Sequence, residues 1–240
     1  MSAAGASQAR GYNIRTRVKI CGITRVEDGV AAARAGADAI GVVLWRGTPR
    51  HVDVDRAVEI VRALPPFVKA VGLFVDPTAE EVTHALARVP LDALQFHGAE
   101  TAEFCRRFGR PYLKAIAVKP GIDLLEYAAR YDDAAGLLFD AFAEGDLPGG
   151  TGIAFDWARL SEDVRARLNR PIVLSGGLDP SNVEHAIRVV RPWGVDVSSG
   201  VEERDAEGRP RRGLKDAARI AAFLQGVRNA DGGSGSLRPA

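Results

Sequence analysis

Eight short apolar runs, separated by segments whose apolar residues recur every third or fourth position, give the chain a repeated strand-and-helix rhythm. The runs are "VKIC" (18–21), "DAIGVVLW" (38–45), "VKAVGLFV" (68–75), "DALQF" (92–96), "YLKAIAV" (112–118), "AGLLFD" (135–140), "PIVLS" (171–175) and "GVDVSS" (194–199). Each has the near-continuous apolar character of a strand buried on both faces of a parallel sheet. The segments between and after them, such as "DVDRAVEIVRALP", "TAEEVTHALARV" and "DPSNVEHAIRVV", read as amphipathic helices. Asp76-Pro77-Thr78 and Asp179-Pro180-Ser181-Asn182 offer capping side chains or a proline for a first turn, and Gly36 can close the first helix. Eight alternations without a linker-like break predict an α/β fold made of a single closed (β/α)8 TIM barrel over residues 15–228. An open doubly wound sheet would not naturally supply eight strands so evenly spaced. The ends, 1–14 and 229–240, are rich in Gly, Ala and Ser and are expected to be disordered tails.

Composition narrows the function classes. Among 240 residues, 46% hydrophobic and 26% charged is ordinary for a folded domain, and a net charge of +1 without basic clusters argues against a nucleic-acid partner. No run approaches the ~18 apolar residues of a membrane span and the start lacks a secretory signal, so a cytoplasmic protein is expected. Two distant cysteines, Cys21 and Cys105, make neither a disulfide framework nor a metal or redox motif. His51, His84, His97 and His185 form no metal-binding pattern, and no GxSxG elbow is present. No metal is expected.

In such a barrel, chemistry sits in the loops that follow the strands. Those positions hold Cys21, Arg50, "QFHG", Asp140, Ser175-Gly176-Gly177 and Ser198-Ser199-Gly200. The last two groups, after the seventh and eighth strands, predict a phosphate site at Gly176, Gly177, Ser198, Ser199 and Gly200, because glycine lets backbone N–H groups approach an anion closely. A triphosphate-cradling loop is excluded at "GRPRRGLK" (208–215): Leu214 stands where lysine is needed and no strand precedes it. That run is expected to be a solvated loop. A lone cysteine is ordinarily a small buried hydrophobe, the reading given to Cys105. An aspartate after a strand is ordinarily a cap or hydrogen-bond anchor. Cys21 and Asp140 differ by position, ending the first and sixth strands across the barrel mouth, where an acid and a base suit an isomerisation.

The motifs "KICGIT", "GADAIGVV", "PPFVKAVGLFV", "QFHG", "LLFDA", "GGTG" with "FDW", "VLSGGLDPSNV" and "VDVSSGVE" resemble, in this order, those of the phosphoribosylanthranilate isomerase family. The resemblance implies a cofactor-free Amadori rearrangement in tryptophan biosynthesis, turning the aminoaldose N-(5'-phosphoribosyl)anthranilate into the aminoketose 1-(o-carboxyphenylamino)-1-deoxyribulose 5-phosphate. It implies Cys21 as general base, Asp140 as general acid and Arg50 as the contact to the anthranilate carboxylate, with Gln95 and His97 lining the site. It further implies a small phosphosugar as the partner, with the chain a monomer or homodimer. The chemistry requires Asp140 to hold a proton and Cys21 to give one up, so the thiol is expected to be more acidic than an ordinary one. Related phosphosugar enzymes fit less well: indole-glycerol-phosphate synthase would need a catalytic lysine and paired glutamates at strand ends, and the histidine-pathway isomerase an aspartate in place of Cys21. A non-catalytic phosphate-binding barrel would have no reason to keep Cys21, Asp140 and Arg50 together.

The chain departs from the family pattern at "WRGTPR", at Ile153-Ala154 and at Phe96. Its segment "EERDAEGRPRRG" is polar, so the last helix is expected to begin near Gly213.

Overall fold

The computed structural model describes residues 15–119, 121–141 and 156–232. Eight parallel strands close into a barrel: β1 (Arg17–Cys21), β2 (Ala39–Val43), β3 (Lys69–Phe74), β4 (Ala93–Phe96), β5 (Tyr112–Val118), β6 (Gly136–Ala141), β7 (Ile172–Leu174) and β8 (Gly194–Val197). The ring is sealed where β1 pairs with β8, Lys19 standing opposite Asp196. All eight expected strands are present, and the (β/α)8 fold is the one the hydrophobic rhythm predicts.

Helices cover the outside: α1 (Val26–Ala35), α2 (Val54–Arg62), α3 (Ala79–Arg88), α4 (Ala102–Arg106), α5 (Leu124–Ala129), α6 (Glu162–Arg167) and α7 (Val183–Val190). Their starts are written locally. Thr78 and Glu81 exchange side-chain and backbone hydrogen bonds in a capping box, Asp53 accepts from Arg56 N–H, and Gly36 ends α1 in the left-handed conformation. Asn182 caps α7 without a side-chain bond, holding the amide of Asp179 through its Oδ1 instead.

Alternation along the strands sorts the interior into two kinds. Outward residues such as Val18, Ile20, Ile40, Leu94, Leu137, Phe139, Leu174 and Val195 join the large core between sheet and helices. Inward ones form two small apolar groups, Ala115 with Leu138 and Val173, and Cys21 with Val43 and Leu73. The same parity carries Lys19, Gln95, Asp140 and Asp196 into the barrel. Charged and apolar groups therefore share the interior, the Lys19–Asp196 pair lying one pleat below the Cys21 group at the mouth.

Two regions depart from the expected pattern. The run "GRPRRGLK" is not a solvated loop: β9 (Glu202–Arg204) and β10 (Pro210–Lys215) pair as an antiparallel hairpin between β8 and the last helix, with Gly213 and Lys215 buried at its base. The last helix, α8, starts at Ala217 rather than near Gly213 and runs to Gly232, so residues 229–232 are helical and not part of a disordered tail. The reason lies in Asp231, whose carboxylate accepts the Thr16 N–H at 2.9 Å and its hydroxyl at 2.7 Å, tying the end of α8 to the start of β1. Residues 1–14 and 233–240, assigned to tails by composition, and the "GGTG" motif at 149–152 lie outside the described residues.

Asp231→Ala removes both bonds to Thr16. The expected loss is about 1–2 kcal/mol of folding stability, read as a lower urea midpoint, since a charged acceptor leaves two donors behind. A tail at this position would give no change.

Candidate active site

At the C-terminal mouth of the barrel a cleft of about 450 Å³, open solvent included, is lined by Cys21, Arg50, Gln95, His97, Asp140 and Ser198 among others. These are six of the residues picked out from the strand ends. Ser175 and Asp196 line it too, and Val43, Leu73 and Trp45 give the thiol side an apolar wall.

Asp140, 4% exposed at the end of β6, is held from two sides. Its Oδ1 accepts the N–H of Ala141 at 2.9 Å, and its Oδ2 lies 3.2 Å from His97 Nε2. His97 is oriented in turn by Gln95, whose amide nitrogen lies 3.0 Å from Nδ1. With that amide donating, Nδ1 accepts and the Nε2–H faces the carboxylate. Gln95 is fully buried, and its Oε1 has no partner among the described residues. On the helix side of the sheet, Lys114 and Glu100 pair at 3.0 Å, and both bond the Phe96–Gly98 backbone that carries His97.

The loops predicted to hold phosphate lie side by side. Gly176 and Gly177 follow β7 with φ of 81° and 64°, and a side chain at Gly176 would put its Cβ 2.4 Å from the Ala141 nitrogen and 2.8 Å from Asp140 Oδ1. The same glycine thus leaves room for the acid. Asn182 donates to Gly177 O, and Arg219 donates to Gly200 O through two nitrogens. Ser198 and the 3₁₀ turn Ser199–Val201 follow β8. Of this group only Ser198 borders the cleft itself.

Arg50 is 7% exposed and lies on a buried carboxylate, donating from Nε to Glu202 Oε1 at 2.7 Å and from Nη2 to Oε2 at 3.0 Å. Glu202 also faces Lys215, whose Nζ donates to it at 3.3 Å and to Ser198 O at 3.0 Å. Burial works against the Glu202 charge, but the Arg50 bond, the Lys215 and Arg50 charges and the Gly213 N–H outweigh it, and the carboxyl is brought down to about 2. Lys215 moves below its ordinary value, first through burial, although Glu202 opposes this.

Cys21 corrects an expectation. Burial pushes its thiol up from the ordinary value rather than down; Lys19 pulls the other way, Asp196 adds to the rise, and Lys215 opposes it more weakly. Cys105 is fully buried in α4, its thiol pushed up to about 12 by burial, in keeping with a packing role. His84 and His185 stand on outer helices, as their spacing predicts.

The family model for N-(5'-phosphoribosyl)anthranilate isomerase matches residues 18–226. The chain belongs to the phosphoribosylanthranilate isomerase family. It is 56% identical over 213 residues to the isomerase of Pseudomonas aeruginosa, covering 89% of this chain and 95% of that one. The enzyme of Alcanivorax borkumensis is 51% identical over 212 residues, 88% of this chain and 95% of its own. Among solved structures, the phosphoribosylanthranilate isomerase of Thermotoga maritima superposes with a TM-score of 0.78 at 38% identity, covering 89% of this chain and 99% of that one. Another structure of a phosphoribosylanthranilate isomerase, in complex with reduced 1-(o-carboxyphenylamino)-1-deoxyribulose 5-phosphate, gives 0.75 at 38% identity with the same coverage.

For this member of the isomerase family, sequence reasoning missed the buried charges around the mouth: Lys19 and Asp196 inside the barrel, Glu202 and Lys215 on the hairpin that follows β8. A signal existed in "VKIC" and "GVDV", each a charged residue between outward apolar ones and so directed inward.

Glu202 gives a pH prediction. Its folded value is depressed, so the stability it contributes is present above its ordinary 4.5 and is lost as pH falls toward about 2, a change on the order of 3 kcal/mol. Glu202→Gln is expected to flatten that part of the stability-versus-pH curve and to lower the urea midpoint at pH 7, because Arg50 and Lys215 then lose their shared anion.

Proposed function

We propose that the chain isomerises N-(5'-phosphoribosyl)anthranilate to 1-(o-carboxyphenylamino)-1-deoxyribulose 5-phosphate, with Asp140 as general acid and Cys21 as general base. The observation that carries this reading is that Cys21, Asp140, Arg50 and Ser198, drawn from four different strand ends, line one cleft. The similarity to isomerases named for this substrate supports the choice of reaction.

In this reading Asp140 gives its proton to the furanose ring oxygen as the C1–O bond breaks and the nitrogen lone pair forms a C1–N iminium. The cationic nitrogen acidifies the C2–H, and the Cys21 thiolate takes that proton while the C–H electrons form the C1–C2 double bond of an enolamine. A proton then moves to C1 and the C2 hydroxyl loses one, leaving the ketone. Acid and base work on different atoms of one bound sugar, so their separate placement on β6 and β1 is what the sequence of steps needs. Arg50, held in place by Glu202, takes the anthranilate carboxylate as a buried, permanent cation. The backbone at Gly176, Gly177, Ser198, Ser199 and Gly200 takes the phosphate. The reaction runs without metal or cofactor in the cytoplasm, by a monomer or homodimer.

Generating the labile substrate in situ from anthranilate and phosphoribosyl pyrophosphate, and following its fluorescence, tests the assignment. Cys21→Ala and Asp140→Ala are each expected to lower kcat about a thousandfold, with a smaller effect on KM. Cys105→Ala is expected to leave turnover unchanged. Full turnover in either of the first two variants refutes the proposed roles, and absence of turnover in the unaltered chain leaves a phosphate-ligand-binding barrel.

A further inference from the structure

Lys19 and Cys21 are two residues apart on β1, so both side chains enter the barrel. Beside them on β2 stands Gly41. A Cβ there would lie 2.8 Å from Cys21 Sγ and 3.2 Å from Lys19 Cε, so the thiol and the lysine stem converge over one bare stretch of backbone. Lys19 is only 6% exposed, and its Nζ donates to Asp196 Oδ1 at 2.7 Å, while Asp196 Oδ2 accepts the Ser175 hydroxyl at 3.4 Å. The ammonium is thus clamped by β8 and braced through β7.

We propose that Lys19, clamped on Asp196, is a positioning residue for Cys21, the fixed cation against which the thiolate forms. The proposal rests on the reading of Cys21 as the base and explains how a buried thiol can serve as one. A thiolate in an apolar pocket is costly unless a cation stands beside it. The charged groups facing the sulfur are Lys19 on its own strand, Asp196 on β8 and Lys215 on β10, with Arg50, His97 and Asp140 elsewhere around the cleft; β2 contributes Gly41 and Val43, neither of them charged. Burial works against the Lys19 charge, but Asp196 and the sulfur outweigh it and hold the ammonium above the ordinary lysine value. Lys19 is therefore a permanent cation at working pH, and Asp196 competes with the thiolate for it.

That competition makes the proposal falsifiable, because the two partners should move the thiol in opposite directions. In the Cys105→Ala background, the rate of iodoacetamide alkylation against pH reports the ionisation of Cys21. Lys19→Met is expected to shift the midpoint to higher pH and slow alkylation at pH 7.5 about tenfold. Asp196→Asn, which leaves the ammonium to the sulfur alone, is expected to shift it to lower pH and speed alkylation about tenfold. The rising limb of kcat/KM against pH should move in parallel. Loss of packing cannot give opposite shifts, so midpoints that stay put or move together overturn the proposal. If Lys19→Met does not fold, Asp196→Asn decides alone, and a midpoint that stays or rises overturns it. Alkylation reads the thiol whether or not it is the base, so a failure of the catalytic reading would show in the Cys21→Ala turnover instead.

Discussion

The register that seals the barrel sets Lys19 opposite Asp196, and neither could be buried without the other. An unpaired ion at that depth would cost several kcal/mol, whereas the pair satisfies both at 2.7 Å. A slip of one residue between β1 and β8 would turn Lys19 into the apolar layer under the helices and Ile20 into the mouth. The ion pair therefore specifies a register as well as tolerating burial. Cys21 and Ser198, one pleat nearer the mouth on the same two strands, inherit their direction from it.

Around that seam the site divides into groups with separate supports. The acid side is a chain of polar contacts, Gln95 to His97 to Asp140, carried on a backbone that Lys114 and Glu100 hold from the helix side of the sheet. The arginine side depends on Glu202, which balances two cations from different segments. The thiol side is mostly apolar, with one charged pair beneath it. This separation suits a reaction in which one group must keep a proton and another must lose one within a single cleft.

The strands were legible because each concentrates its apolar residues in a short run, and the mouth residues because barrel topology assigns them to loops that follow strands. Thr78 and Gly36 were equally local signals. Closure was a different matter. Lys19 and Asp196 are 177 positions apart, and only the ring makes them neighbours, so their pairing has no local signature. "GRPRRGLK" reads as solvated because a polar run looks alike whether it faces water or folds back on itself; Gly213 and Lys215 turn inward, the Gly213 N–H donating to Glu202 and Lys215 Nζ to Glu202 and Ser198. The acid thiol expected of Cys21 is not found because burial, invisible along the chain, outweighs the nearby cations.

The β9–β10 hairpin joins two regions under different rules. At its base, Glu202, Gly213 and Lys215 are committed to the cleft, while at its tip Asp205 accepts the backbone N–H groups of Glu207 and Arg209 and pairs with the Arg209 side chain, a turn closed on itself. Residues at that tip are therefore free to drift, lengthen or carry a fused peptide while the fork on Arg50 stays in place. The molecule thus has a graftable handle beside its mouth, mechanically insulated from the cleft by the buried base of the hairpin, Glu202 with Gly213 and Lys215.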